Sequence, residues 1–208
     1  MNDLQKSKSP EKVWNPEAQG IGKTKLQASL TDPKMSALKK YQELAIGSFS
    51  LLSLLKYELL TLVFGPIPGA IGLVIRKLFF KSLFKKVGKN VVFGKSLTIR
   101  HPQKIRIGDN VIIDDYAVLD AKGNNNLGIE IGNDVMIGRN TVISCKNGNI
   151  RIGDNSNIAM NCFIQSAKEV SIGNDVLFSA YCYVIGGGDH ETERTDIPII
   201  AQAQVVKG

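Results

Sequence analysis

The sequence predicts an all-β fold, a parallel β-helix coiled as a three-sided prism over residues 89–208. A short helical, partly apolar segment over 47–88 and a basic extension over 1–46 precede it. Three observations carry this reading. An aliphatic or aromatic residue recurs every six positions, every break in that period falls at the same point of the cycle, and charge and composition change character near residue 87.

The periodic positions are Phe93, Ile99, Ile107, Ile113, Leu119, Ile131, Ile137, Ile143, Ile152, Ile158, Ile164, Ile172, Phe178 and Val184. Glycine follows six of them, as in IRIGDN, IEIGND and VSIGND. Four positions after many of them stands a second, mostly small or β-branched residue: Val111, Ala117, Val135, Thr141, Ser156, Cys162, Val176 and Cys182. A fixed short period of this kind is the mark of a stacked array. Each hexad is a short strand with its aliphatic residue pointing inward and Gly, Asn or Asp turning the corner. Three hexads close one coil, and coils stack as parallel strands about 4.8 Å apart. No coil buries its inner face alone, so stability comes from stacking.

The interruptions locate the function. Two extra residues fall between Ile99 and Ile107, six between Leu119 and Ile131, three between Ile143 and Ile152, and two between Ile164 and Ile172. Each follows the second hexad of its coil, so all insertions emerge from one edge of the prism. Past Val184 the same edge carries a longer excursion, GGGDHETERTDIPIIAQAQ. Long loops on a rigid scaffold are where chemistry usually sits. In this register Cys162 and Cys182 are equivalent inward positions of adjacent coils and read as small core residues rather than nucleophiles. Cys145 lies near a corner with no histidine close in sequence. Three cysteines make no disulfide framework and suit a reducing cytosol.

The remaining composition is ordinary, at 43% hydrophobic and 22% charged, which excludes wholesale disorder and a polytopic membrane protein. The formal charge of +7 is unevenly placed: residues 1–86 hold 14 Lys/Arg against 6 Asp/Glu, and 87–208 hold 12 against 13. No nucleic-acid-binding motif accompanies the basic segment. Residues 1–46 lack sustained periodicity and read as largely disordered. Over 48–86 the longest uncharged stretch, Leu59 to Ile75, is seventeen residues and is broken by Gly-Pro-Ile-Pro-Gly. Two short helices around a bend are expected, not a span, which wants about twenty apolar residues. The second, Ile71–Lys86, mixes Arg76, Lys77, Lys81, Lys85 and Lys86 with leucine, isoleucine and phenylalanine. That mix suits an interfacial helix whose cations meet lipid headgroups; the other reading is a cap on the coil or an oligomer contact.

The hexad repeat resembles that of the left-handed β-helix (hexapeptide-repeat) acyltransferases over residues 91–208, and the resemblance supplies the hand. Within that superfamily the 186–198 loop, Gly-Gly-Gly-Asp-His-Glu-Thr-Glu-Arg-Thr-Asp-Ile-Pro, resembles the active-site loop of sugar O-acetyltransferases. YELLTLVFGPIPGAIGLVIRK and RHPQKIRIGDN resemble acyltransferases of polysaccharide and lipopolysaccharide gene clusters. The resemblance implies acetyl or other acyl transfer from acetyl-CoA (acyl-CoA) to a hydroxyl of a sugar or polysaccharide acceptor. It also implies a homotrimer with sites between subunits and a cytoplasmic location, at the inner face of the membrane if 48–86 touches lipid. The family's loop histidine is a general base, a role that carries to His190; the substrate-contacting Asn one coil earlier carries to Asn161. Asp189, Glu191 or Glu193 would orient His190, and Arg194 and Asp196 would brace the loop or touch the acceptor. An ordinary loop histidine and a corner-turn asparagine are the plain alternatives. Carbonic anhydrases of the same fold bind zinc through three histidines; this chain has His101 and His190 only, so no metal is expected. Related enzymes continue with further coils where this chain stops at Gly208, so a truncated chain or a partner that covers the end is expected. The competing function is a non-catalytic scaffold docked to membrane or to a polysaccharide-synthesis complex.

Overall fold

The computed structural model describes residues 30–187, 189–190, 195–196 and 204–205. Among the described residues helical pieces come first, including α1 (Ala37–Tyr41), continued by a π-helical turn over Gln42–Ile46, α2 (Leu51–Phe64) and α3 (Gly69–Phe79), which runs into a short 3-10 turn at Phe80–Ser82. Fifteen short strands follow: β1 (Lys86–Val87), β2 (Val92–Phe93), β3 (Thr98–Arg100), β4 (Ile105–Ile107), β5 (Ile112–Ile113), β6 (Val118–Asp120), β7 (Ile129–Ile131), β8 (Met136–Ile137), β9 (Val142–Cys145), β10 (Asn149–Ile152), β11 (Asn157–Ile158), β12 (Phe163–Ser166), β13 (Glu169–Ile172), β14 (Leu177–Phe178) and β15 (Tyr183–Gly186). They form three parallel five-stranded sheets, and each sheet takes every third strand. The first sheet is β1-β4-β7-β10-β13, the second β2-β5-β8-β11-β14, the third β3-β6-β9-β12-β15. This is the expected parallel β-helix, with five coils. A separate antiparallel pair, β16 (Asp189–His190) and β17 (Gln204–Val205), follows.

All fourteen periodic residues lie in strands. From Phe93 to Ile164 they are essentially inaccessible, while Phe178 and Val184 of the last coil are half-buried. The first sheet adds a second inward row, Ile105, Ile129, Ile150 and Val170, because its I-x-I strands send two residues inside. Thr141 and Ser156 in the core are satisfied locally, Ser156 by donating to the Gly173 carbonyl at 3.0 Å. Thr141 Oγ1 donates to the Ala159 carbonyl at 2.8 Å and accepts the Cys162 N–H at 3.2 Å.

The corners explain the Gly-Asp-Asn endings of the hexads. Asn90, Asn110, Asp134, Asn155 and Asp175 all have φ between 54° and 59°, a region asparagine and aspartate tolerate best after glycine. The residue before each caps the neighbouring coil: the Lys89 N–H donates to Asp109, Asp109 to Asn133, Asn133 to Asp154 and Asp154 to Asn174, at 2.6–2.9 Å. At Gly108 an added Cβ would stand 2.5 Å from the Gly132 carbonyl oxygen of the next coil, so the stacking distance itself demands glycine there.

The helical pieces close the first coil. Leu54, Tyr57 and Leu60 of α2 and Phe80 after α3 are buried against it, and Phe84 stacks on Phe93 with centroids 5.4 Å apart. Tyr57 donates its hydroxyl proton to the Ile99 carbonyl at 2.6 Å. The second helix ends at Phe79 rather than Lys86, and the first strand forms at Lys86–Val87, ahead of the expected start of the coil at residue 89. Arg76 corrects the headgroup-facing expectation. It is 1% exposed and donates to the carbonyls of Phe93 (2.9 Å), Phe64 (3.1 Å), Gly65 (3.3 Å) and Ile67 (2.6 Å). Residues 37–46 likewise correct the expectation of disorder: they are helical and bury Ala45 and Ile46, while 1–29 lie outside the described residues.

His101 clasps this turn to the coil. Its ring is buried with Nε2 2.8 Å from the Glu43 carbonyl, and its backbone N–H donates to the Ala45 carbonyl. It is therefore more than the plain corner residue its position suggests. Burial pushes its pKa below the ordinary 6.5, with the Glu43 carbonyl opposing. A folded pKa below the unfolded one means that the unfolded chain binds the extra proton, so stability falls as pH drops through about 6.5. Between about pH 7.5 and 5.5 the melting temperature of the protein therefore decreases more than that of His101→Asn, a residue suited to the φ of 50° here. Thermal melts by circular dichroism check this, and equal slopes would remove the clasp's pH dependence.

Candidate functional site

Every insertion leaves the coil between the third and first sheets. The turns from β3 to β4, β6 to β7, β9 to β10 and β12 to β13 all cross this edge, and the excursion after β15 starts there too. The seam is therefore a column of irregular backbone on a regular body. Its regularity of position follows from the two complete hexads that precede each break.

The seam is braced from within. In the longest insertion, Lys104 Nζ donates to Asn126 Oδ1 at 2.8 Å, and Asn126 Nδ2 donates to the Gly148 carbonyl of the next coil at 2.9 Å. Asp120, 6% exposed, pairs with Lys122 at 3.0 Å and Arg100 at 3.7 Å. Cys145 stands beside this cluster, and burial, with the Asp120 charge added, pushes its thiol up to about 12. A thiol so protonated is no nucleophile at neutral pH. Cys162 is buried and raised for the same first reason, so the core reading holds for it, while Cys182, its equivalent in the last coil, is half-buried and packs against the core. Ser166 Oγ, one coil above Cys145 in register, is buried with no hydrogen-bond partner among the described residues.

Beside the seam the outer face of the first sheet forms two hollows. One of 330 Å³ is lined by Lys86, Arg106, Glu130, Arg151 and Asp154, and one of 140 Å³ by Arg106, Leu127, Asn149, Arg151 and Glu169. Arg151 Nε meets Glu130 Oε2 at 3.5 Å across this face. Their sequence signal was the alternating outward residue of I-R-I, I-E-I and I-R-I, a column that spacing alone reads as plain solvated surface.

His190 and Asp189 form β16, with His190 in register opposite Gln204 and Asp189 opposite Val205; their side chains lie outside the described residues. Arg194 is outside them as well, and Asp196 is exposed in a bend. Asn161 occupies the corner between β11 (Asn157–Ile158) and β12 (Phe163–Ser166), with φ 57° and its N–H donating to the Arg139 carbonyl at 3.0 Å. It belongs to a column of left-handed corner residues, Ser96, Tyr116, Asn140, Asn161 and Tyr181. That corner joins the second and third sheets, so within one chain Asn161 and the start of the excursion stand on different edges of the prism. Among the described residues no group of three His, Cys, Asp or Glu is placed to hold a metal ion.

No family model matches the sequence, and no curated protein matches it. Among solved structures, the chain is similar to a hexapeptide-repeat containing acetyltransferase from Vibrio cholerae O1 biovar eltor complexed with acetyl coenzyme A. The identity is 20% over 73% of this chain and 90% of that one, with a TM-score of 0.46. It is also similar to a mutant N-acyltransferase from Bacillus cereus in complex with dTDP and coenzyme A (23% identity, 51% and 83% covered, TM-score 0.28). A third is the serine acetyltransferase of Neisseria gonorrhoeae in complex with serine (16% identity, 77% and 64% covered, TM-score 0.36).

Proposed function

We propose that this protein is an O-acyltransferase that moves an acetyl or related acyl group from acyl-CoA to a hydroxyl of a sugar or polysaccharide precursor. The observation that carries the reading is the single seam: a five-coil body whose every insertion, and the His190 excursion after them, departs from one edge. His190 is the general base. A neutral imidazole takes the proton of the acceptor hydroxyl as its oxygen attacks the thioester carbonyl. The tetrahedral intermediate collapses with cleavage of the C–S bond, and the departing thiolate takes the proton back from the imidazolium. The acceptor gains the acyl group and free CoA thiol leaves, so atoms and charge balance without metal.

Asn161, Asp189, Arg194 and Asp196 position the acceptor and the loop in this reading. Because Asn161 stands on a different edge from the start of the excursion, a three-fold assembly of copies is the arrangement that lets one copy's corner serve its neighbour's loop. The exposed register row Ile112, Met136, Asn157 and Leu177 on the second sheet, apolar at three of its four positions, supports such packing. Acetyl-CoA with a panel of sugars and polysaccharide precursors tests the reaction through release of CoA thiol. Release above the acceptor-free rate with at least one sugar is expected. No release with any of them, from a folded protein, would favour the scaffold reading instead.

A further inference from the structure

We propose that the outer face of the helical cap docks this protein on the surface of an anionic lipid bilayer, lying in the interface without crossing it. The cap is amphipathic in an unusual sense. Arg76 and Tyr57 point inward beside Leu54, Leu60 and Phe80, and a second set of apolar residues points out. Arg76 and Tyr57 spend their donors on carbonyls of the bend and the first coil, which leaves Leu52, Leu55, Leu59 and Leu62 of α2 on one exposed face at three- and four-residue steps. On α3, Ile71 and Leu78 are exposed as well. Leu52, Leu62 and Ile71 are 79%, 74% and 72% exposed, far more than a core needs to leave outside. Contiguous apolar surface on a fixed element marks an interaction site.

Charge identifies the occupant. Between residues 47 and 85 the exposed or half-exposed cations Lys56, Lys77, Lys81 and Lys85 are set against a single acidic residue, Glu58, whose carboxylate is engaged by the Tyr41 hydroxyl. Leucine flanked by lysine is the composition that lies at a bilayer interface, with each lysine near an anionic surface adding to the attraction. A second copy of the same face would bring lysine rim against lysine rim. Nor does the cap insert as a span: among the described residues no single helix is long and apolar enough to cross a membrane. The one bent pair that passes on composition includes Ala45 and Ile46, which are buried against the coil.

Flotation of the full chain with phosphatidylcholine vesicles, with and without roughly one third phosphatidylglycerol, tests this. Binding is expected to the anionic vesicles at low salt and to weaken as salt shortens the reach of the charges. Leu52→Glu with Leu62→Glu is expected to lower binding at least about tenfold, and Lys77→Glu with Lys81→Glu to do so on anionic vesicles only. Lys146→Glu with Lys168→Glu, the same charge change at the seam, leaves it within about twofold. Circular dichroism keeps unfolding out of the comparison. Three results would each overturn the proposal: wild-type protein that stays in buffer at low salt, a leucine variant that binds as tightly as wild type, or self-association through this face without vesicle binding.

Discussion

Arg76→Ala lowers the stability of the folded chain by about 3–5 kcal/mol, because it strands several buried backbone acceptors at once. The guanidinium is 1% exposed and shared among carbonyls at 2.6–3.3 Å, so its loss strands acceptors at the end of α2, in the Pro-Ile-Pro bend and on Phe93 at once. A stranded buried acceptor costs about 1–3 kcal/mol, and several share one donor here, so the sum is less than additive. Arg76→Lys keeps the charge but offers a point donor in place of a planar fork, and recovers only part of the loss. For a chain of this length the alanine change is worth roughly 10 °C in melting temperature. Hydrogen exchange separates this from general weakening. In a stacked array each coil touches only its neighbours, so exchange accelerates over residues 51–93 while β10 (Asn149–Ile152) to β13 stays protected. Unchanged protection across the cap would show that Arg76 does not hold it.

The physical reason that Arg76 escaped the sequence reading is instructive beside what did not. The fourteen inward positions were legible because each strand repeats the same demand on the same residue type, and the coil answers with its own neighbours. The seam was legible because hexad arithmetic counts insertions directly. Arg76 is different. On an apolar helix rich in lysine, a cation at that position looks like one more headgroup ligand. Its partners are backbone carbonyls, which carry no signature in the residue names. His101 hides for the same reason, since its partner is the carbonyl of Glu43, fifty-eight positions earlier. The helical turn at 37–46 reads as polar and lysine-rich; only contact with the first coil makes Ala45 and Ile46 worth burying. The strand at Lys86–Val87 had a usable signal, since Val-Gly-Lys-Asn matches the Ile-Gly-Asp-Asn ending one coil later. Asn161 shows the limit from the other side. The left-handed corner explains asparagine there without any ligand, so residue type alone does not choose between turn and substrate contact.

His190→Ala is expected to reduce acyl transfer by about 10²–10⁴-fold, the usual contribution of a positioned general base. The loss should fall on kcat more than on KM, because the proton moves in the transition state whereas the acceptor is held by other groups. The acid limb of the pH–rate profile, set by protonation of the imidazole, should vanish with the ring. Folding should be nearly unaffected. Among the described residues β16 pairs only with β17 in an antiparallel ribbon, outside the three stacked sheets, so stability stays within the effect of a surface change, about 0.5 kcal/mol. That contrast is what makes the variant informative: a stable protein that loses turnover has lost chemistry, and a stable protein that keeps it has another base. Asn161→Ala supplies the complementary measurement, since a group that only positions the acceptor raises KM and leaves the pH limb in place. If both variants turn over as the wild type does, the excursion after β15 does not carry the reaction, and the seam is architecture alone.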